Sequence, residues 1–463
     1  MSETPGIHYD CPHCQTLTEM LAVKDKTIEQ LKAEKILLEY NIRELKEKWF
    51  SRKKKSPEEQ SVEARPKKRG APKGHPGWYR QEPDHIDVVE EVTLGCCPHC
   101  GGKVGECDDI EEHIQEDIVL PRVVVTQYRK HQYWCRRCKA VVSGTGKEEL
   151  ANSYIGPRAK SVAAFLKYDV KVSNNDIGKI FAELCGLRIV PSTVNGFNNQ
   201  ARNKCIPLYE SLKEALKKEP YIHADETGCP VDGKNHWDWV FATASMCLHV
   251  IREGRGQKVV EEILGKKYGG ILLCDFLSAY NKLTAKAKQR CLVHLLRELK
   301  KILECSAATD PAHIYCQNLK DLIQKAIALS ESFTDHTISR RDFIKQRTAL
   351  EKSLKDFQFP ELQGKTINRI TKRLIRHKDE LLTFLHHKGI AYHNNFAERM
   401  IRPSVLFRKI TFGHRSPKGT LNHSVLMSVL QTGKLNGKKS VAMINDIFTC
   451  HHTPSLTICG KSP

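Results

Sequence analysis

Tyr221-Ile222-His223-Ala224-Asp225-Glu226-Thr227-Gly228 decides the fold. It reads as a short, mostly apolar strand that stops in two acids and a glycine turn. Residues 235–244 (NHWDWVFATA) and 247–252 (CLHVIR) are two further runs rich in aromatic and β-branched residues, and three in succession predict an antiparallel meander. A fourth run, 270–275 (GILLCD), follows a helical segment at 257–267 and again ends in a carboxylate. Strand ends at a sheet edge are where functional groups collect in open α/β sheets. Two aspartates delivered to one end of one sheet, Asp225 and Asp275, predict a hard-oxygen cation site. A pair of Mg²⁺ ions about 3.5–4 Å apart is the usual tenant when the substrate is a phosphodiester.

Outward from that stretch, the chain is basic and long. Its 463 residues suggest about three domains of ordinary size. Lys+Arg 74 against Asp+Glu 54 gives a net charge of +20, spread over most of the chain, and such a field favours a polyanionic partner. Neither a signal-peptide core at the start nor an apolar run of about 18 residues is present, which predicts an intracellular chain with no membrane partner. The 18 cysteines include three C-x-x-C pairs, which in a reducing compartment favour zinc over disulfides.

Upstream, positions 17 to 49 spaced four and three apart are apolar except Lys24 and Lys35, the pattern of a coiled coil and hence of a homodimer or larger assembly. Cys11 and Cys14 stand at its head, where two copies in a parallel dimer offer four thiolates to one ion. Residues 51–77, dense in Lys, Arg, Pro and Gly, cannot bury a core and read as a basic linker that meets phosphate. Cys97-Pro98-His99-Cys100-Gly101-Gly102 and Cys135-Arg136-Arg137-Cys138 flank a strand-like segment, 114–134. That is a zinc-ribbon pattern, with Cys97, Cys100, Cys135 and Cys138 as ligands of a structural Zn²⁺ and Arg136 and Arg137 as DNA contacts. Residues 175–184 and 192–204 predict two helices joined around Cys185-Gly186, the second capped by Ser192, and they read as a packing subdomain.

Downstream, 289–294 (QRCLVH) predicts a last strand running into a helix at 295–303. Residues 307–385 are charged and helical in period, a helical insertion. The final helix begins at Asn394 as its cap, with Glu398 in the first turn and Arg399 and Arg402 beside it. Such an acid can reach the same cations, while the arginines neutralise phosphate.

The set HADETG, DGKNHWDWVF, CDFLSAYNKL, QRCLVHLLREL and NNFAERMIRP followed by RKITFGHRSPKG resembles bacterial DDE transposases of the insertion-sequence sixty-six family. The resemblance covers most of the chain, since that family also carries a zipper-like helix, a basic linker and a zinc-binding domain in this order. Residues 49–57 (WFSRKKKSP) depart from it, keeping only part of a phenylalanine-glycine turn. The resemblance implies an α/β ribonuclease-H-like catalytic core with a helical insertion, preceded by the coiled coil and the zinc ribbon. It implies a metal triad of Asp225, Asp275 and Glu398, separated by 50 (275 − 225) and 123 (398 − 275) residues, with Mg²⁺ (two ions) or Mn²⁺ as cofactor. Cys291 and His294 fall at the family's C-x-x-H element and support the site. Lys409, Arg415 and Lys418 join Arg399 and Arg402 as contacts to DNA, both element terminal repeats and target.

The expected layout is then 1–50 coiled coil and knuckle, 51–90 linker, 91–150 zinc ribbon, 151–219 helical subdomain, 220–449 catalytic domain with its insertion at about 305–388, and 450–463 tail. The function implied is metal-dependent DNA cleavage and strand transfer in a bacterial cytoplasm, at the nucleoid. Two other classes stay open, a zinc-ribbon repressor with an inactive core and a ribonuclease-H-like nuclease without strand transfer.

Overall fold

The computed structural model describes residues 83–105, 112–358, 365–450 and 454–459. The predicted coiled coil, the Cys11 and Cys14 knuckle and the basic run at 51–77 lie outside the described residues. The chain divides into two compact units, Met1–His113 and Ile114–Pro463.

In the first unit, the knuckle at Cys97 is a tight turn, with Gly101 N–H donating to the Cys97 carbonyl (2.8 Å) and Cys97 N–H to that of Gly102 (2.9 Å). Gly101 has φ +72°, a left-handed conformation that glycine adopts without a Cβ penalty. The second unit opens with strands β1 (Gln132–Cys135) and β2 (Ala140–Ser143), paired antiparallel across the other knuckle. The strand character read at 114–134 is realised only from Gln132 onward.

Three helices follow: α1 (Pro157–Ala164), α2 (Asn174–Cys185) and α3 (Pro191–Leu216). Ser192 does not cap α3; Val190 is the cap residue and Pro191 takes the first turn, where its missing N–H costs nothing. Ala163, Ile177, Phe181, Ile189, Val194 and Phe197 form a small apolar core for these helices. Gly178 lets the chain cross closely, since a Cβ there would stand 2.5 Å from the Ile189 carbonyl oxygen.

The sheet is β3 (Tyr221–Gly228), β4 (Trp237–Ala242), β5 (Cys247–Arg252), β6 (Lys267–Cys274) and β7 (Thr284–Arg290), with α4 (Gln257–Leu264) between β5 and β6. The spatial order is β5-β4-β3-β6-β7; the first three are antiparallel, as the meander predicts, and β3, β6 and β7 are parallel. A five-stranded mixed sheet with helices on its faces is compatible with a ribonuclease-H-like core. The last strand is not 289–294 but Thr284–Arg290, and His294 lies in helix α5 (Leu292–Cys305).

The insertion supplies α6 (Pro311–Thr334), α7 (Arg340–Lys355) and α8 (Lys365–His377). The chain closes with α9 (Asn395–Thr411), α10 (Pro417–Leu435) and α11 (Ser440–Thr449). One apolar layer joins Ile222, Ala224 and Leu272 of the sheet to α3, α10 and α11, while a second joins Ile271 and Leu273 to α5 and the insertion. No helix among the described residues is long and apolar enough to cross a membrane.

Helix α10 is buried on every side from Asn422 to Gly433, and its hydroxyls close the edge of the sheet. Ser424, Ser428 and Thr432 accept the outward N–H groups of Ile251 (3.2 Å), His249 (2.8 Å) and Cys247 (3.1 Å). Four helical residues rise about 6.0 Å and two strand residues about 6.8 Å, so one hydroxyl meets every second N–H. An exposed edge is thereby turned into a satisfied one.

Candidate active site

The alternation of β3 decides what each acid faces. Ile222, Ala224 and Glu226 share one face, and His223 and Asp225 the other. Pairing with β6 ends at His223↔Leu273, whereas pairing with β4 continues through Asp225↔Val240 to Gly228. The strand therefore does not stop at the acids; it parts from β6 there, and Asp275 directly follows the end of β6.

Each aspartate is fixed by a local bond: Asp225 Oδ1 accepts Glu226 N–H (2.9 Å), and Asp275 Oδ1 accepts Leu277 N–H (2.8 Å). Burial first, then the charges of Glu226, Asp275 and Glu398, push the Asp225 carboxyl up to about 8. Glu226 is raised to about 7 by burial and by Asp275, although Arg255 (2.7 Å to Oε1) and the Tyr280 hydroxyl (3.0 Å to Oε2) bind it. Like charges that still feel one another after partial burial raise the cost of ionising each carboxyl.

Glu398 lies in the first turn of α9, and its N–H donates to the Asn394 carbonyl (3.2 Å). Its Oε1 is 3.7 Å from His294 Nε2 and, though buried, accepts no hydrogen bond. Ligand atoms of Cys291, His294 and Glu398 all lie within 4.8 Å of one another. The structure thus groups Cys291 and His294 with Glu398, and sets Glu398 and Asp275 in the field of Asp225.

Asn394 stands at the cap position, yet its side chain does not cap the helix. It receives His223 Nδ1–H on Oδ1 (3.0 Å) and donates Nδ2 to the Ala224 carbonyl (2.8 Å), while its N–H donates to Cys291 Sγ (3.2 Å). One buried carboxamide therefore ties the Asp225 strand to the Glu398 helix. Sequence reading missed this role, along with Arg255 and Tyr280.

The basic residues behave differently. Arg399, Arg402, Lys409, Arg415 and Lys418 are exposed, and Arg399 lies over the Phe396 ring at 5.6 Å. Arg136 and Arg137 are exposed in the turn between β1 and β2. At the knuckles, the Cys97 thiol is drawn below its ordinary range by N–H groups of His99 and Cys100, and the Cys135 thiol by those of Cys138 and Arg137. Amides aimed at sulfur favour the thiolate, the form that binds metal.

A second polar cluster is fully buried. Asp238 on β4 accepts His249 Nδ1–H (3.0 Å), and His423 Nε2 is 2.7 Å from Ser404 Oγ. Burial lowers the His249 imidazole, but Asp238 outweighs it and the group is raised to about 10. Burial also lowers His414 to about 4 and His423 well below its usual value. No solvent reaches this cluster, so it reads as an internal brace.

Three proteins of Sinorhizobium fredii (strain NBRC 101917 / NGR234), each described only as uncharacterized, resemble the chain along most of its length. The protein y4qI is 26% identical over 421 residues, 79% of this chain and 72% of its own. The protein y4hP is 21% identical over 410 residues, again 79% and 72%. The protein y4jD is 20% identical over 413 residues, 81% and 79%. Residues 152–422, more than half of the chain, match the Transposase IS66 family. The chain belongs to that family: a transposase, a nucleic-acid-processing enzyme that binds DNA.

Proposed function

We propose that the chain is the DDE transposase of a bacterial insertion sequence, which binds the element's terminal repeats and performs metal-dependent cleavage and strand transfer. Asp225, Asp275 and Glu398 are the catalytic acids and the ligands of two Mg²⁺ ions, or Mn²⁺. The observation that supports this best is the Asp225 carboxyl, pushed up to about 8 by burial and three neighbouring acids. Such a group is costly as a free carboxylate and is relieved by a cation among its neighbours. The donors suit a hard divalent ion, and the buried Glu398 Oε1 accepts no hydrogen bond. Bound there, divalent ions supply an activated water and charge stabilisation for the departing 3′ oxygen.

The chain's own groups do the rest. His294 and Cys291 hold Glu398 in place, and Glu226, its carboxylate bound by Arg255 and Tyr280, donates its N–H to Asp225 Oδ1. Arg399, Arg402, Lys409 and Arg415 take phosphates of the bound strands. The freed 3′-OH attacks target DNA, so no covalent enzyme intermediate is needed. Each knuckle, Cys97 with Cys100 and Cys135 with Cys138, offers two thiolates to Zn²⁺, and Arg136 and Arg137 in the second meet the element end. Residues 151–219 and 220–449 form the helical subdomain and the catalytic domain.

The test is cleavage and joining of labelled element-end DNA with Mg²⁺, wild type against Asp225→Asn. Activity lost in the variant while DNA binding and zinc content persist supports the triad, whereas equal activity removes Asp225 from catalysis. Cleavage without joining, on DNA lacking specific ends, favours the nuclease reading.

A further inference from the structure

Helix α8 carries charge that the reaction above does not use. In KTINRITKRLIRH, Ile367, Ile370 and Leu374 are buried, so the helix is held in one rotation. Its other side presents Arg369, Lys372, Arg373 and Arg376 to a cavity of about 570 Å³ that Phe276, the residue after Asp275, also lines. Glu298 takes Arg373 (2.9 Å) and Arg369 (3.7 Å), whereas Lys372 and Arg376 are exposed and have no ion-pair partner among the described residues. The Arg373 guanidinium lies 5.0 Å over the Phe276 ring.

The cavity is latched to Asp275. His377, the last residue of α8, bonds Glu380 (2.9 Å), and Glu380 accepts Arg290 Nε (2.6 Å). Arg290 is fully buried and donates Nη1 to the Asp275 carbonyl (2.7 Å) and Nη2 to Asn281 (3.1 Å). Against burial, which raises it, the His377 hydrogen bond and Arg290 hold the Glu380 carboxyl below its ordinary range, so the latch is charged at neutral pH. The cations of α8 therefore keep a fixed place relative to Asp275.

Cavities of about 300–1,000 Å³ hold one small ligand, and a volume of about 570 Å³ suits a nucleotide or two of a single strand. Unneutralised cations beside an aromatic ring are the elements of single-strand recognition, phosphate on charge and base on ring. We propose that this cavity is a single-stranded DNA subsite, in which Lys372 and Arg376 bind consecutive phosphates and a base packs on the Phe276–Arg373 pair. It holds the strand next to the scissile phosphate, a placement that rests on the assignment of Asp275 to the catalytic triad.

The test uses the zinc-loaded full chain with no Mg²⁺ or Mn²⁺ added, so that binding is read without cleavage. Affinities for a short oligo(dT) and for a duplex lacking element ends are measured across salt, for wild type and Lys372→Gln/Arg376→Gln. Two lost single-strand phosphate contacts lower the slope of log K against log salt by about 1.4 on oligo(dT) and leave the duplex slope nearly unchanged. Phe276→Leu weakens oligo(dT) binding about fivefold or more at an unaltered slope. An unchanged oligo(dT) slope overturns the subsite, and so does an equal loss on both DNAs, which makes the face a general duplex track. Both altered cations are exposed, so unfolding does not mimic the result. Asp225→Asn separates the two readings: it loses cleavage when Mg²⁺ is added and keeps normal oligo(dT) binding, whereas lost oligo(dT) binding in that variant puts the strand on the acids rather than in the cavity and overturns the subsite.

Discussion

Replacing Asn394 with alanine removes the tie between the two elements that carry Asp225 and Glu398. Asn394 is 1% exposed and serves His223 Nδ1 and the Ala224 carbonyl at 3.0 and 2.8 Å. Burial leaves the first of these partners no water to turn to, and the second loses its side-chain donor. Each buried polar group stranded in this way costs about 1–3 kcal/mol, so the variant loses about 2–6 kcal/mol of stability in urea unfolding. Function suffers separately, because a supporting residue of this kind changes metal affinity or activity by about 10–100-fold. The Mn²⁺ concentration that half-saturates cleavage therefore rises in Asn394→Ala by about that factor. Asn394→Asp keeps the shape but turns an oxygen toward the Ala224 carbonyl and adds charge beside the Asp225 cluster, and it is at least as damaging. A variant within about 0.5 kcal/mol of wild type, with an unshifted Mn²⁺ titration, refutes the reasoning.

Ser428→Ala strands the His249 N–H at the sheet edge and lowers stability by about 1–3 kcal/mol, whereas Ser211→Ala, exposed on α3, stays within about 0.5 kcal/mol in the same urea assay. Arg290→Met breaks three bonds and leaves Glu380 with a weaker set of partners; a loss of about 3–5 kcal/mol is expected from thermal and urea unfolding. His414, lowered from 6.5 to about 4, binds fewer protons folded than unfolded in that window, so its contribution is intact above about pH 6.5 and is lost as pH falls toward 4. The stability gap between wild type and His414→Phe consequently moves in favour of the variant on acidification, by up to about 3 kcal/mol. The paired comparison cancels Asp225 and Glu226, whose raised carboxyls act in the opposite sense. A gap that is flat with pH sinks the assignment of His414 as a buried neutral imidazole.

The sheet was legible where side chains follow one period. Residues 247–252 were read as the strand that is found, whereas the strand from Tyr221 was read as stopping at the acids and in fact runs on to Gly228, its buried His223 and Glu226 breaking the apolar pattern. The strand before the C-x-x-H element was misplaced because TAKAKQR spends its alternate positions on lysines at the open edge, a pattern that protects an edge but resembles a loop. Asn394 was read as a cap because its spacing from Glu398 suits one; long-range bonds to β3 claimed the side chain instead, and no local pattern encodes that. The same holds for Asp238, His249 and His423, whose positions in sequence give no hint that one buried cluster joins them. The acids themselves were readable, while the reason Asp225 is raised lies in burial and in neighbours up to 173 residues away (398 − 225).

The position of the insertion follows from how the core closes around Glu398. The Leu292 N–H donates to the Tyr392 carbonyl (2.9 Å), and Cys291 Sγ accepts the Asn394 N–H (3.2 Å), so the chain leaves and re-enters the core at one point. Closing a loop of this length costs little more than closing a short one, since the penalty grows only as the logarithm of length, about 0.6 kcal/mol per doubling. The separation of 123 residues from Asp275 to Glu398 therefore need not strain the proposed triad. The residues between also need not be passive. Arg290 bonds both the Asp275 carbonyl and Glu380, and so fastens the far end of the excursion to the same strand ends that carry the acids. An insertion tied at its exit, its return and its last helix is positioned as firmly as the sheet, and cations on that helix can act on a strand held at Asp275.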